Sequence, residues 1–104
     1  MEVQVLSAAP KMEGITYILY SLKDKKTYTG STDNLERRLL EHQLGKVLAT
    51  KNRLPIKLIY FEKFNSVNEA RKREHYYKSC AGRKKLKLIL DKIIKKIQVP
   101  RLDS

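Results

Sequence analysis

Short runs of β-branched and aromatic residues alternate along the chain with polar segments. Residues 15–20 read Ile-Thr-Tyr-Ile-Leu-Tyr, a composition typical of a β-strand. The polar segment 21–25 predicts a turn, and residues 26–30 then predict a second strand that completes a hairpin. A third strand is predicted at 56–64, directly after Pro55.

Two segments carry the start signals of helices. Ser-Thr-Asp at 31–33 offers N-caps for a helix at 34–44, and Gly45 is placed to end that helix. Ser-Val-Asn-Glu at 66–69 is a capping box, in which the serine and the glutamate satisfy backbone amides at a helix start. It predicts a second helix at 67–79.

The last part of the chain predicts one more helix. Cys-Ala-Gly at 80–82 is expected to break the second helix, and apolar residues at helical spacing predict a third at 83–97. The order strand-strand-helix-strand-helix-helix predicts an α+β fold, a small three-stranded antiparallel sheet flanked by helices. We expect one domain at 14–98, with tails at 1–13 and 99–104.

Charge changes this picture more than any other bulk property. The chain has 23 Lys and Arg against 11 Asp and Glu, a net charge of +12 at pH 7. A field of this size attracts polyanions, and nucleic acid is the commonest partner of such domains. Composition alone does not separate DNA from RNA or from an anionic membrane.

The sequence also bears on the compartment. No apolar run approaches the roughly 20 residues that span a bilayer, and the first ten residues lack the pattern of a secretory signal. Cys80 is the single cysteine, which excludes an internal disulfide and predicts no disulfide-linked partner. We therefore expect a cytoplasmic protein.

Several short blocks stand in order at suitable spacing over roughly residues 14–90. They are Ile-Thr-Tyr at 15–17, Tyr-Thr-Gly at 28–30, an arginine-containing stretch at 30–39, a glutamate-containing stretch at 69–74, and Gly-Arg-Lys-Lys-Leu at 82–86. Together they resemble the GIY-YIG endonuclease superfamily, in particular its small stand-alone members. The N-terminal nuclease domain of excinuclease and the homing endonucleases are similar to them.

The resemblance implies an activity and the residues that perform it. It implies a DNA endonuclease that hydrolyses phosphodiester bonds with one Mg²⁺ or Mn²⁺ ion. Tyr28 would be the general base, Arg38 would bind the phosphate, and Glu74 would hold the metal. Tyr17 and His42 would orient the water or the phosphate.

Other residues are expected to bind the substrate. Gly30 has no side chain and would let the substrate backbone approach the sheet. Ser31 beside it and Arg38 would contact the same DNA, and Lys84 and Lys85 would extend the basic surface. Whether the DNA is single-stranded, duplex or branched stays open.

Helical geometry supports two of these assignments without the family. On the first helix Leu35 and Leu39 define the inner stripe, and Arg38 and His42 lie beside it as an i, i+4 pair, whereas Arg37 points to solvent.

On the second helix Glu74 falls on the inner face with Val67, Ala70 and Tyr77. A carboxylate there requires a compensating cation.

Ordinary interpretations exist for the same residues. Tyr17 and Tyr28 could simply pack in strands, and Glu74 could pair with Arg71 or Lys78 on its own helix. One alternative function is a non-catalytic nucleic-acid-binding module of the same fold. Another is a membrane-surface protein that uses the lysine-rich third helix.

Overall fold

Three antiparallel strands form the sheet of the computed structural model, which describes residues 13–98. They are β1 (Gly14–Ser21), β2 (Thr27–Thr32) and β3 (Ile56–Phe64), in the order β2-β1-β3. The predicted α+β fold and its three strands are confirmed. The tails predicted at either end lie outside the described residues, apart from Glu13.

The central strand β1 is buried along its whole length and divides the core between two faces. Side chains alternate in a strand, so odd and even positions point to opposite faces. Ile15, Tyr17 and Leu19 form one apolar cluster. Ile18 belongs to a second cluster on the other face, where Thr16 donates a hydrogen bond of 2.7 Å to the Ala70 carbonyl.

The first helix, α1 (Leu35–Gln43), covers the Tyr17 face of the sheet. Its N-cap is Asn34, whose side chain accepts from the Arg37 amide; the predicted caps at 31–33 lie just before it. Gly45 has a φ of 76°, a left-handed conformation that suits glycine after a helix end.

The other two helices, α2 (Val67–Lys78) and α3 (Cys80–Gln98), cover the Ile18 face. The capping box is present, because Ser66 Oγ accepts from the Glu69 amide, while the Glu69 carboxylate accepts from the Asn65 amide. The break predicted at 80–82 is wrong. One extended residue, Ser79, separates α2 from α3, and Cys80 is exposed.

The apolar stripe of α3 is used by the core. Leu86 and Leu90 are buried against Ile18 and Tyr77, and Ile93 packs beside them. The stripe that suggested a membrane-surface helix is therefore occupied within the domain. Within residues 13–98, no helix is both long and apolar enough to cross a bilayer.

Candidate active site

A buried chain of hydrogen bonds fixes two of the predicted site residues. The Tyr17 hydroxyl lies 2.9 Å from His42 Nε2, and His42 Nδ1 lies 2.7 Å from Thr50 Oγ1. His42 and Thr50 are fully buried and Tyr17 is 1% exposed. With both ring nitrogens engaged, His42 cannot rotate without losing a bond.

Burial keeps this chain uncharged at neutral pH. It raises the pKa of Tyr17 to about 12, although the neighbouring Arg38 opposes the shift. Burial, together with the charge of Arg38, lowers the pKa of His42 to about 4. Tyr17 is therefore a phenol and His42 a neutral imidazole, which suits both for positioning.

Tyr28 stands beside this pair but nearer to solvent. Its ring centroid lies 6.4 Å from that of Tyr17 and 5.4 Å from that of His42. Tyr28 is half-buried and lines a surface cleft, whereas Tyr17 is enclosed. Of the two tyrosines, Tyr28 is the one whose hydroxyl a substrate can approach.

Gly30 has a structural role that the sequence did not indicate. It pairs with Tyr17 across the sheet. A Cβ at Gly30 would lie 2.6 Å from the Tyr17 hydroxyl oxygen and 2.7 Å from Cζ, closer than such atoms approach. The glycine makes room for the Tyr17 ring. A direct role for Gly30 in substrate binding stays a prediction.

Arg38 reaches the boundary between this interior and solvent. Its side chain is 35% exposed, and Nη1 donates 2.9 Å to Glu41. Hydrogen bonds to Glu41 and Tyr17 raise its pKa, so the guanidinium is permanently charged. Arg37 binds Asp33 at 3.1 Å and faces solvent, as helical geometry predicts.

Glu74 extends from α2 toward β2. Its Oε1 accepts 2.6 Å from Ser31 Oγ, and its Oε2 accepts 2.7 Å from Lys78 Nζ. Burial raises the pKa of Glu74, but the hydrogen bonds from Lys78 and Ser31 outweigh it and hold the pKa below its usual value. The carboxylate is ionised, and its helix partner is Lys78 and not Arg71.

The donor set at Glu74 suits one kind of metal. No group of three His, Cys, Asp or Glu side chains comes together in the part of the chain that the structure describes. Mg²⁺ keeps several waters and uses one or two carboxylates, so a single carboxylate beside an open groove fits it. Lys78 would have to yield or share Oε2 with the ion.

Two clefts open on either side of Glu74. The α1 cleft has a volume of about 450 Å³ and is lined by Ser31, Thr32, Asp33, Arg37, Arg38, Val67, Asn68 and Arg71. The α3 cleft has a volume of about 430 Å³ and is lined by Thr27, Tyr28, Thr29, Tyr77, Lys78, Arg83 and Leu86.

The clefts bring in basic residues that were not predicted as substrate contacts. These are Arg71, Lys78 and Arg83. Lys84 and Lys85, which were predicted, are exposed on α3 and line neither cleft. The signal was available in the sequence, since Arg83 lies next to the inner stripe of α3 and Lys84 does not.

The fold and this arrangement can be set beside known proteins. Residues 13–87 match the sequence profile of the GIY-YIG catalytic domain. The chain belongs to the GIY-YIG family. The predicted resemblance is thereby confirmed, and the blocks that carried it lie within the matched residues.

Relatives of this GIY-YIG domain include small proteins of similar length. A UPF0213 protein of Clostridium perfringens is 46% identical over 80 residues, which cover 76% of this chain and 85% of the relative. One from Natronomonas pharaonis is 42% identical over 76 residues, 72% of this chain and 88% of the relative.

A solved structure supports the fold. The solution NMR structure of a UPF0213 protein from Bacillus halodurans aligns with a TM-score of 0.50 and 33% sequence identity. The alignment covers 89% of this chain and 99% of that one. The α+β architecture is thus shared by a second member.

Proposed function

We propose that this GIY-YIG domain is a divalent-metal-dependent DNA endonuclease that hydrolyses phosphodiester bonds. The observation that carries the proposal is the placement of an ionised, half-buried carboxylate, Glu74, between two clefts that contain Tyr28 and Arg38. A base, a phosphate-binding cation and a metal ligand are the parts such a hydrolysis requires. The profile match supports the same reaction class.

Each residue has a distinct task in this proposal. Tyr28 takes the proton of the attacking water, since it is the exposed member of the two tyrosines. A tyrosine acts as a base only where positive charge favours the phenolate. Arg38 binds the nonbridging oxygens of the phosphate, and Glu74 holds one Mg²⁺ or Mn²⁺. The cation would supply charge that stabilises the leaving oxygen.

Tyr17 and His42 position the reacting groups without exchanging protons. Both are buried and neutral at pH 7, and they hold each other through the 2.9 Å contact. Their rings pack against Tyr28 and so restrict its orientation. We infer a cytoplasmic setting, which the exposed free thiol of Cys80 suits.

The test is cleavage of end-labelled DNA in single-stranded, duplex and branched form, with Mg²⁺, Mn²⁺ or EDTA. We expect metal-dependent products from the wild type. Glu74→Ala should lower the rate by about 1,000-fold, because the charge stabilisation of several kcal/mol depends on it. Tyr28→Phe should also be inactive, and both variants should keep low-salt DNA binding.

A matched control is Glu69→Ala, which removes an exposed carboxylate from the same helix. It should cleave like the wild type. DNA binding without cleavage in any metal would instead support the non-catalytic binding module. Equal loss of binding and cleavage in Glu74→Ala would show that Glu74 is structural.

A further inference from the structure

We propose that the α1 cleft and the α3 cleft form one track that holds successive phosphates of a single DNA strand. Arg71 would bind the backbone on one side of Glu74, and Lys78 with Arg83 would bind it on the other. The inference rests on the proposed function, since it takes the bond at Glu74 as the one that is cut.

The spacing of the residues on α2 fits such a track. Arg71, Glu74 and Lys78 stand at i, i+3 and i+7 and so lie along one side of the helix. At about 1.5 Å per residue, Arg71 and Lys78 are roughly 10 Å apart along the axis. One strand of DNA advances about 3.4 Å per nucleotide, so this distance corresponds to about three nucleotides. Glu74 stands near the middle.

The two arginines at the ends of the track are available for a ligand. The other arginines of the α1 cleft are engaged, Arg37 by Asp33 and Arg38 by Glu41. Across residues 13–98, neither Arg71 nor Arg83 makes a side-chain ion pair or hydrogen bond. Both are exposed and line a concave surface.

A phosphodiester is the ligand that best suits these positions. A guanidinium presents a fork of N–H donors that matches a phosphate, and it remains charged at any physiological pH. Among the described residues that line the two clefts, Asp33 is the one acidic side chain, and Arg37 already neutralises it. The track therefore offers net positive charge on both sides of Glu74.

The position of the track also suits a passing strand. Ser31 on β2 binds Glu74 on α2, while Tyr28 on β2 contacts the α1 face. The site thus lies across the outer edge of β2, the strand that ends the sheet on this side. A strand of DNA can cross this edge and meet both clefts.

The experiment measures DNA binding in EDTA, where cleavage does not interfere. Binding of labelled single-stranded and duplex oligonucleotides is followed by fluorescence anisotropy over a range of salt concentrations. Each phosphate contact contributes about 0.9 to the slope of log K against log salt for duplex DNA and about 0.7 for single strands. Arg71→Ala and Arg83→Ala should each reduce the slope by about one contact, and the double variant by about two.

The matched control is Lys63→Ala, an exposed cation on β3 at the opposite edge of the sheet. It removes the same charge but should leave the slope within error of the wild type. Thermal unfolding of each variant verifies that the fold is retained.

The outcomes separate this inference from the proposed activity. Unchanged slopes in both arginine variants, or equal losses in Lys63→Ala, would overturn the track even if the protein cleaves DNA. Reduced slopes in a protein that cuts no DNA with any metal would support the track as a binding surface and overturn the endonuclease. Reduced slopes together with slower cleavage would support both.

Discussion

Two glutamates on opposite sides of α2 share the same side-chain exposure of 20% but have different surroundings. Glu62 on β3 accepts hydrogen bonds from Tyr60 at 2.5 Å and Tyr77 at 2.6 Å on the same oxygen. Arg73 Nε lies 3.1 Å from its other oxygen, as an ion pair without hydrogen-bond alignment. Glu62 is enclosed by partners from two elements.

Glu74 has a looser environment. Its partners are one hydroxyl, that of Ser31, and the ammonium of Lys78, whose side chain is 54% exposed. Arg73 by contrast lies 5.5 Å from the Tyr77 ring centroid and makes similar contacts with two other rings. Burial alone therefore does not identify the functional carboxylate. The partners of Glu74 can move aside for a ligand, and those of Glu62 cannot.

The sharpest way to break this comparison is to remove each carboxylate and measure stability. Glu62→Ala leaves two tyrosine hydroxyls and Arg73 without their acceptor. We expect a loss of about 2–3 kcal/mol, since bonds to charged groups contribute roughly 1.5–3 kcal/mol. Glu74→Ala should lose less than about 1 kcal/mol, because its ion pair is a half-exposed i, i+4 pair. Urea unfolding at pH 7 measures both.

Glu62→Gln serves as the control, because it keeps an acceptor and should lose less than Glu62→Ala. Equal losses in Glu62→Ala and Glu74→Ala would mean that both carboxylates are structural.

Much of the fold follows from local signals in the sequence. The strands were predictable from their composition, and the start of α2 from its capping box. The break between α2 and α3 was misplaced because Gly82 suggests a helix end. In the structure Gly82 is a close-contact residue, since a Cβ there would lie 1.7 Å from the Tyr76 carbonyl oxygen. Ser79 makes the break, and its hydroxyl accepts from the Gly82 amide.

The candidate site was predictable in part, for a physical reason. Helical periodicity places Glu74 and Arg38 on the correct faces, because those faces depend on local geometry. The contact of His42 with Thr50 depends on how the loop after α1 folds back, and the enclosure of Glu62 depends on packing between β3 and α2. No local pattern contains either.

The response to acid sharpens the difference between the two sides. The pKa of His42 is about 4 in the folded protein, against about 6.5 in an unfolded chain. Between these values the unfolded chain binds a proton that the folded protein does not. Stability is thus complete above about pH 6.5 and falls as the pH falls toward 4, with a slope approaching about 1.4 kcal/mol per pH unit.

The measurement is urea unfolding of the wild type and His42→Gln between pH 6.5 and 5, above the range in which most carboxylates titrate. The variant should show a flatter dependence, because its side chain takes no proton. The same slope in both proteins would show that His42 is not the group responsible.

The smallest expected effect tests how freely Lys78 leaves Glu74. Its ammonium lies 2.7 Å from Oε2, so a cation bound there competes with it. Lys78→Met removes the competitor, and because such a helix pair contributes about 0.3–0.5 kcal/mol, Mn²⁺ affinity should rise about twofold. The free-ion signal in electron paramagnetic resonance measures that affinity without cleavage. Lys72→Met is the matched control, because it removes the same charge from α2 without contact to Glu74.

The direction of the change decides between two roles for Lys78. Tighter Mn²⁺ binding in Lys78→Met, with weaker DNA binding, would show a residue that releases the carboxylate to the metal and then serves the phosphate backbone. Weaker Mn²⁺ binding would show that the 2.7 Å contact orients Glu74 for its ligand. In that case the partner of Glu74 would be as fixed as those of Glu62, and the contrast between the two glutamates would rest only on the opening of the groove.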